Sequence, residues 1–105
     1  MQEKIDETVT TVEKLAREVD VAQWEWLRAH NERGALVIVN RGLDLADVGE
    51  RIAADDSPMV QRWLVSNLLA KPTAEQVAAW NNEPARNFST LVISPFVLIQ
   101  ELRDE

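Results

Sequence analysis

Apolar residues at the start of the chain recur at Ile5, Val9, Val12, Ala16 and Val19, in steps of four and three with charges between them, and Leu15 widens the stripe. That period belongs to one face of an amphipathic helix. The stripe covers only about two heptads, too few to hold a helix alone, so residues 1–19 are expected to dock on their own domain or on a second copy of the chain. Asp20 and Gln23 then have the spacing of a capping box, with Val19 and Trp24 as a hydrophobic staple. A second helix is predicted from there, presenting Trp24 and Leu27 to a core and closing at Gly34, which tolerates the left-handed conformation.

The pattern changes after Gly34. ALVIVN is a continuous apolar run rich in β-branched residues, bounded by the turn residues Asn40, Arg41 and Gly42, and predicts a strand buried on both faces. Asp44 with Asp47 and the staple Leu43 and Val48 open a third helix on Leu45, Val48 and Ile52. Asp55 and Asp56 end it, and Ser57 with Pro58 starts a fourth whose stripe is Val60, Trp63, Leu64 and Leu68. Asn67 stands where that helix would close. Residues 68–72 are expected to be extended because Lys71 precedes proline. Thr73 and Gln76 open a short helix that buries Val77 and Trp80, NNEPARN is a loop, FSTLVIS is a strand, and SPFVLIQEL reads two ways: Ser94 and Pro95 repeat the helix-start signature, while the strand formers Phe96 to Ile99 tip it to a strand.

Together these elements describe a single small α+β domain over residues 20–105, preceded by the amphipathic helix of residues 1–19. The order helix-helix-strand-helix-helix-strand-helix-strand resembles a winged helix with a small antiparallel sheet, and residues 44–68 have helix-turn-helix spacing. Charge argues against the DNA-binding role this shape invites. Eighteen acidic residues against eleven basic leave a net charge of −7. The expected recognition helix, residues 57–67, holds only Arg62 as a cation and follows Asp55 and Asp56, which repel phosphate. A winged helix-turn-helix regulator would need Arg41, Arg51, Arg62 and Lys71 to converge.

Catalytic chemistry finds little to stand on. Without cysteine there is no thiolate nucleophile or disulfide, and with His30 as the sole histidine no multi-histidine metal centre. The three glycines are too dispersed for a phosphate-binding loop. Asp44, Asp47, Glu50, Asp55 and Asp56 offer oxygen ligands, yet their positions are those of helix caps and solvated charge. No enzyme, cofactor or metal is expected. The absence of a signal-like leader or long apolar run points to a soluble cytoplasmic protein without a membrane role. Trp24, Trp63 and Trp80 fall on apolar stripes, whereas Trp26 lies off its stripe, with a core and an exposed position both open to it, and is the tryptophan to test for exposure. The reading is therefore a protein-interaction module or self-associating domain, with Trp26, Arg41, Gln61, Arg62 and Lys71 as the candidate interaction residues.

From Trp24 onward the motifs ERGALVIV, GLDLADV, VQRWL, LLAKPTAEQVAAW and LVISPFVLIQE resemble the short bacterial proteins of domain of unknown function 2288. Asn67 replaces the glycine more usual there, and Phe96 the tryptophan. The resemblance implies a bacterial cytoplasmic origin and a single domain, and no activity, substrate or catalytic residue comes with it.

Overall fold

The computed structural model describes residues 11–102, so Ile5 and Val9 of the first stripe lie outside the described residues. In chain order the elements are α1 (Thr11–Ala16), β1 (Asp20–Gln23), α2 (Trp24–Glu32), β2 (Leu36–Val39), α3 (Leu45–Ala53), α4 (Ser57–Val65), β3 (Leu69–Ala70), α5 (Ala74–Asn81), β4 (Asn87–Ile93) and β5 (Phe96–Glu101). The strands form one sheet in the order β1-β4-β5-β2-β3. β5 is antiparallel to β4 but parallel to β2, with Leu36 opposite Val97 and Ile38 opposite Ile99. The domain is α+β as expected, while the small antiparallel sheet becomes a five-stranded mixed one. The winged-helix order does not appear, because β1 intervenes between α1 and α2.

That intervening strand corrects the helix predicted to start at Asp20. Residues Asp20 to Gln23 pair with Thr90 to Asn87 instead. Ladder pairing outweighs the local capping signal, and the Asp20 carboxylate accepts a hydrogen bond from the adjacent Val21 N–H at 2.8 Å. α2 accordingly begins at Trp24 with no side-chain cap from Gln23. Its first amides donate to the 84–86 loop, Trp24 N–H to the Arg86 carbonyl and Glu25 N–H to that of Pro84.

The other boundaries follow local chemistry. Gly34 closes α2 at φ 75° and Asn67 follows α4 at φ 62°, both left-handed. Asp44 accepts from the Asp47 amide, and Thr73 and Gln76 complete a reciprocal capping box. α4 starts one residue earlier than its Ser-Pro signal implies, with Asp56 as the cap accepting from Met59 N–H. α1 packs on α3, and Leu15 and Val19 join the core there.

Strand alternation sorts the apolar side chains onto two faces. On one, α2 and α5 set Trp24, Leu27, Val77 and Trp80 against Leu36, Phe88, Val97 and Ile99. The aromatic rings meet at 5.0 Å for Trp24 and Trp80 and edge-on at 4.9 Å for Trp80 and Phe88. Trp24 Nε1 also donates to Asn81 Oδ1 at 2.8 Å. On the other face, α1, α3 and α4 cover Val37, Val39, Leu69, Leu91 and Leu98 with aliphatic side chains and Trp63. Gly49 brings α3 close to β4, since a Cβ there would meet Leu91 Cδ2 at 2.7 Å.

Candidate functional site

α4 covers its part of the sheet incompletely. None of its residues is fully buried. Val60 and Trp63 pack on the core, but Leu64 is 46% exposed and Val65 73%. The stripe predicted to bury Leu64 is therefore corrected: the helix tilts that side chain out along a groove instead of into the core. The groove has a volume of about 420 Å³. Val37, Leu69 and Phe96 form its floor, Val60, Gln61 and Leu64 one wall, and Asp55, Asp56 and Lys71 its polar ends.

Most of those polar groups are already engaged. Asp56 accepts from Arg51 Nη1 at 2.7 Å as well as from the Met59 amide. The bond from Arg51 and the one from Met59 N–H hold the Asp56 carboxyl below its ordinary pKa, and the same contact keeps Arg51 more firmly protonated. Lys71 Nζ donates to the Gly34 carbonyl. The Gln61 side chain faces the groove without such a commitment.

A second cavity, about 470 Å³, lies at the free edge of the sheet and is lined by Glu18, Asp20, Val21, Ala22, Gln23, Trp26, Thr90 and Val92. Trp26 is 55% exposed, the solvent-facing of the two positions left open to it. Its ring packs against His30 with centroids 4.7 Å apart. His30 Nδ1 receives a hydrogen bond from Arg33 Nη2, so the imidazole carries its proton on Nε2. Burial, and then the charge of Arg33, hold the His30 pKa below its usual value.

The five candidate residues divide among separate places. Gln61 and Lys71 share the groove, and Trp26 lines the edge cavity. Arg41 pairs with Glu101 at 3.6 Å, by the end of β2 away from Gly34 and Lys71. Arg62 lies on the exposed side of α4. Arg51 is bound to Asp56, so of the four cations named for a nucleic-acid face Arg41 and Arg51 are each paired with a carboxylate and Lys71 with a backbone carbonyl. Reasoning from sequence missed Phe96, Leu64, Val37 and Thr90. Adjacent Leu64 and Val65 do carry a signal, since two successive apolar residues exceed what one helical stripe buries.

Among the described residues no helix is long and apolar enough to cross a membrane. No group of three or more histidine, cysteine or acidic side chains is placed to hold a metal ion among them. No curated protein matches the chain. A solved structure does: the NMR solution structure of PA1075 from Pseudomonas aeruginosa is 34% identical, with a TM-score of 0.75, over 87% of this chain and 83% of that one. The shared fold extends to the sequence level, where the model described as Protein of unknown function (DUF2288) matches residues 10–101, and the chain belongs to that family.

Proposed function

We propose that the chain is a non-enzymatic protein-interaction module whose groove between α4 and the sheet receives an apolar segment of a partner protein. The observation that carries this reading is the incomplete burial of α4, which leaves Leu64 and Phe96 solvent-facing beside a concave apolar floor. Support for binding over catalysis comes from the polar ends of the groove. Asp56 and Lys71 are occupied by Arg51 and the Gly34 carbonyl, so neither is a free acid or base. Gln61 and Asp55 are polar side chains left to select a partner, and Lys71 frames the entrance. The Asp55 and Asp56 carboxylates at the start of α4 support a protein partner over DNA.

A photo-crosslinking residue at Gln61, compared with one at Glu32 on the opposite side of the sheet, tests the reading in cells. The expected result is a discrete product from position 61 that a Leu64→Glu exchange removes. Equal labelling from both positions would sink the idea. Amide shifts along α4 on adding a mixed-sequence DNA duplex at low salt would instead favour the regulator, and products between two copies of the chain would favour self-association.

A further inference from the structure

We propose that α4 is a hinged wall that leaves the sheet as a unit, pivoting at Asp55 and Asn67, so that the groove opens into a cleft floored by Leu69. The inference rests on the interaction reading only for what the cleft admits. Its own grounds lie in how α4 is held.

Three other helices are fixed by side chains sunk in the core. α2 buries Trp24 and Leu27, α3 buries Leu45, Ala46, Val48 and Gly49, and α5 buries Trp80. α4 buries none. Its packing on the core goes through Val60 and Trp63, both partly exposed. Among the described residues, backbone hydrogen bonds of residues 57–66 run within the helix and its flanking turns and do not reach a strand. The polar tie to α3, Arg51 to Asp56 at 2.7 Å, lies at the surface with 46% and 27% of the two side chains exposed. An ion pair so exposed is a weak fastening.

The two ends of α4 are built to turn. Asp55 and Asn67 both stand at φ 62°, in the left-handed region. Asp and Asn tolerate that region better than most residues, yet a residue with a side chain is still favoured at negative φ. While α4 lies on the sheet both must hold the left-handed conformation, and when it leaves each returns to ordinary backbone geometry. Release therefore relieves a cost at both pivots and exposes little beyond Val60 and Trp63. Beneath them Leu69 is 2% exposed and lines the groove. The closed groove holds about 420 Å³, and the open cleft adds the surface that α4 had covered.

The chain lacks cysteine, so one introduced thiol is the sole target for a chromogenic disulfide reagent. Leu69→Cys reports the opening of α4, and Val48→Cys, on α3 and wholly buried, reports unfolding of the domain. With each rate divided by that of the denatured variant, Leu69→Cys is expected to be labelled at least about tenfold faster and to accelerate less steeply with urea, because a local opening exposes less surface. The slope carries the decision, since a merely destabilised variant would keep the steep one. Fluorine relaxation dispersion on fluorotryptophan-labelled protein needs no core substitution, and is expected to show exchange at Trp63 but not at Trp24 or Trp80. A slope for Leu69→Cys as steep as that for Val48→Cys would overturn the hinge, and should Leu69→Cys not fold, a static Trp63 would do so. Opening without crosslinks from position 61 would leave the hinge standing and remove the occupant. Crosslinks without opening would leave a groove used as it stands.

Discussion

The two faces of the sheet are finished in different ways. Under α2 and α5 the interior is aromatic: Trp24 and Phe88 are wholly buried, Trp80 nearly so, with Trp24 tilted against both other rings and Trp80 edge-on to Phe88. Under α1, α3 and α4 it is mostly aliphatic, with Trp63 at its margin, and α4 leaves a groove behind it. The first arrangement uses large rigid groups and a side-chain hydrogen bond to fix one geometry. The second meets the short helix α4 through Val60 and Trp63, and that helix has no fully buried residue. The contrast teaches that one sheet can be sealed by interlocking rings on one face and left with an open groove on the other.

Removing the aromatic anchor should break that contrast most severely. Trp24→Ala is expected to cost about 3–5 kcal/mol, a large part of a domain's stability, read as a lowered denaturation midpoint. On the opposite face, Gly49→Ala pushes a Cβ toward Leu91 and Ile93 in a filled core. Crowding of about 1–3 kcal/mol outweighs a helix-propensity gain of about 1 kcal/mol, so a smaller net loss is expected in the same denaturation experiment. Thr73→Ala breaks the capping box of α5 and is expected to cost about 1 kcal/mol. Leu64→Ser, on the groove wall, should stay within about 0.5 kcal/mol of the parent, since the side chain is already half in water. A loss like that of Trp24→Ala would show α4 to be as integral as α2.

The smallest effect is one of pH. The carboxyl of Asp56 is lowered in the folded protein by its bond from Arg51 and that from Met59 N–H. In acid the unfolded chain therefore binds this proton first, and stability contributed at the start of α4 is present above pH 3.8 and lost as pH falls through the lower folded value. Asp56→Asn should flatten that acid limb in melting profiles recorded between roughly pH 2 and 5.

Local chemistry made much of this fold legible. Gly34, Asp44, Asn67 and the Thr73–Gln76 pair act within one turn of chain, and each does in the structure what its residue type demands. Asp20 and Gln23 carry an equally good local signal, but strand β4, about 70 residues on, captures them. The candidate sites depend on the same kind of remote pairing. Phe96 reaches the groove because β5 lies beside β2, and Thr90 reaches the edge cavity because β4 lies beside β1. Trp26 was legible because its departure from the helical stripe is itself local. Nothing near Phe96 or Thr90 in sequence announces their neighbours.

The place of β5 in the sheet bears on how the protein is made. It is the last of the five strands to be synthesised, yet it joins β4 on one side to β2 on the other. Until residue 101 has been synthesised, β1 with β4 and β2 with β3 remain two unconnected strand pairs, neither of which closes a core. The sheet cannot be completed before β5 is made, and a nascent chain stalled short of β5 would expose Leu36, Phe88 and Leu91 to whatever chaperone meets it first.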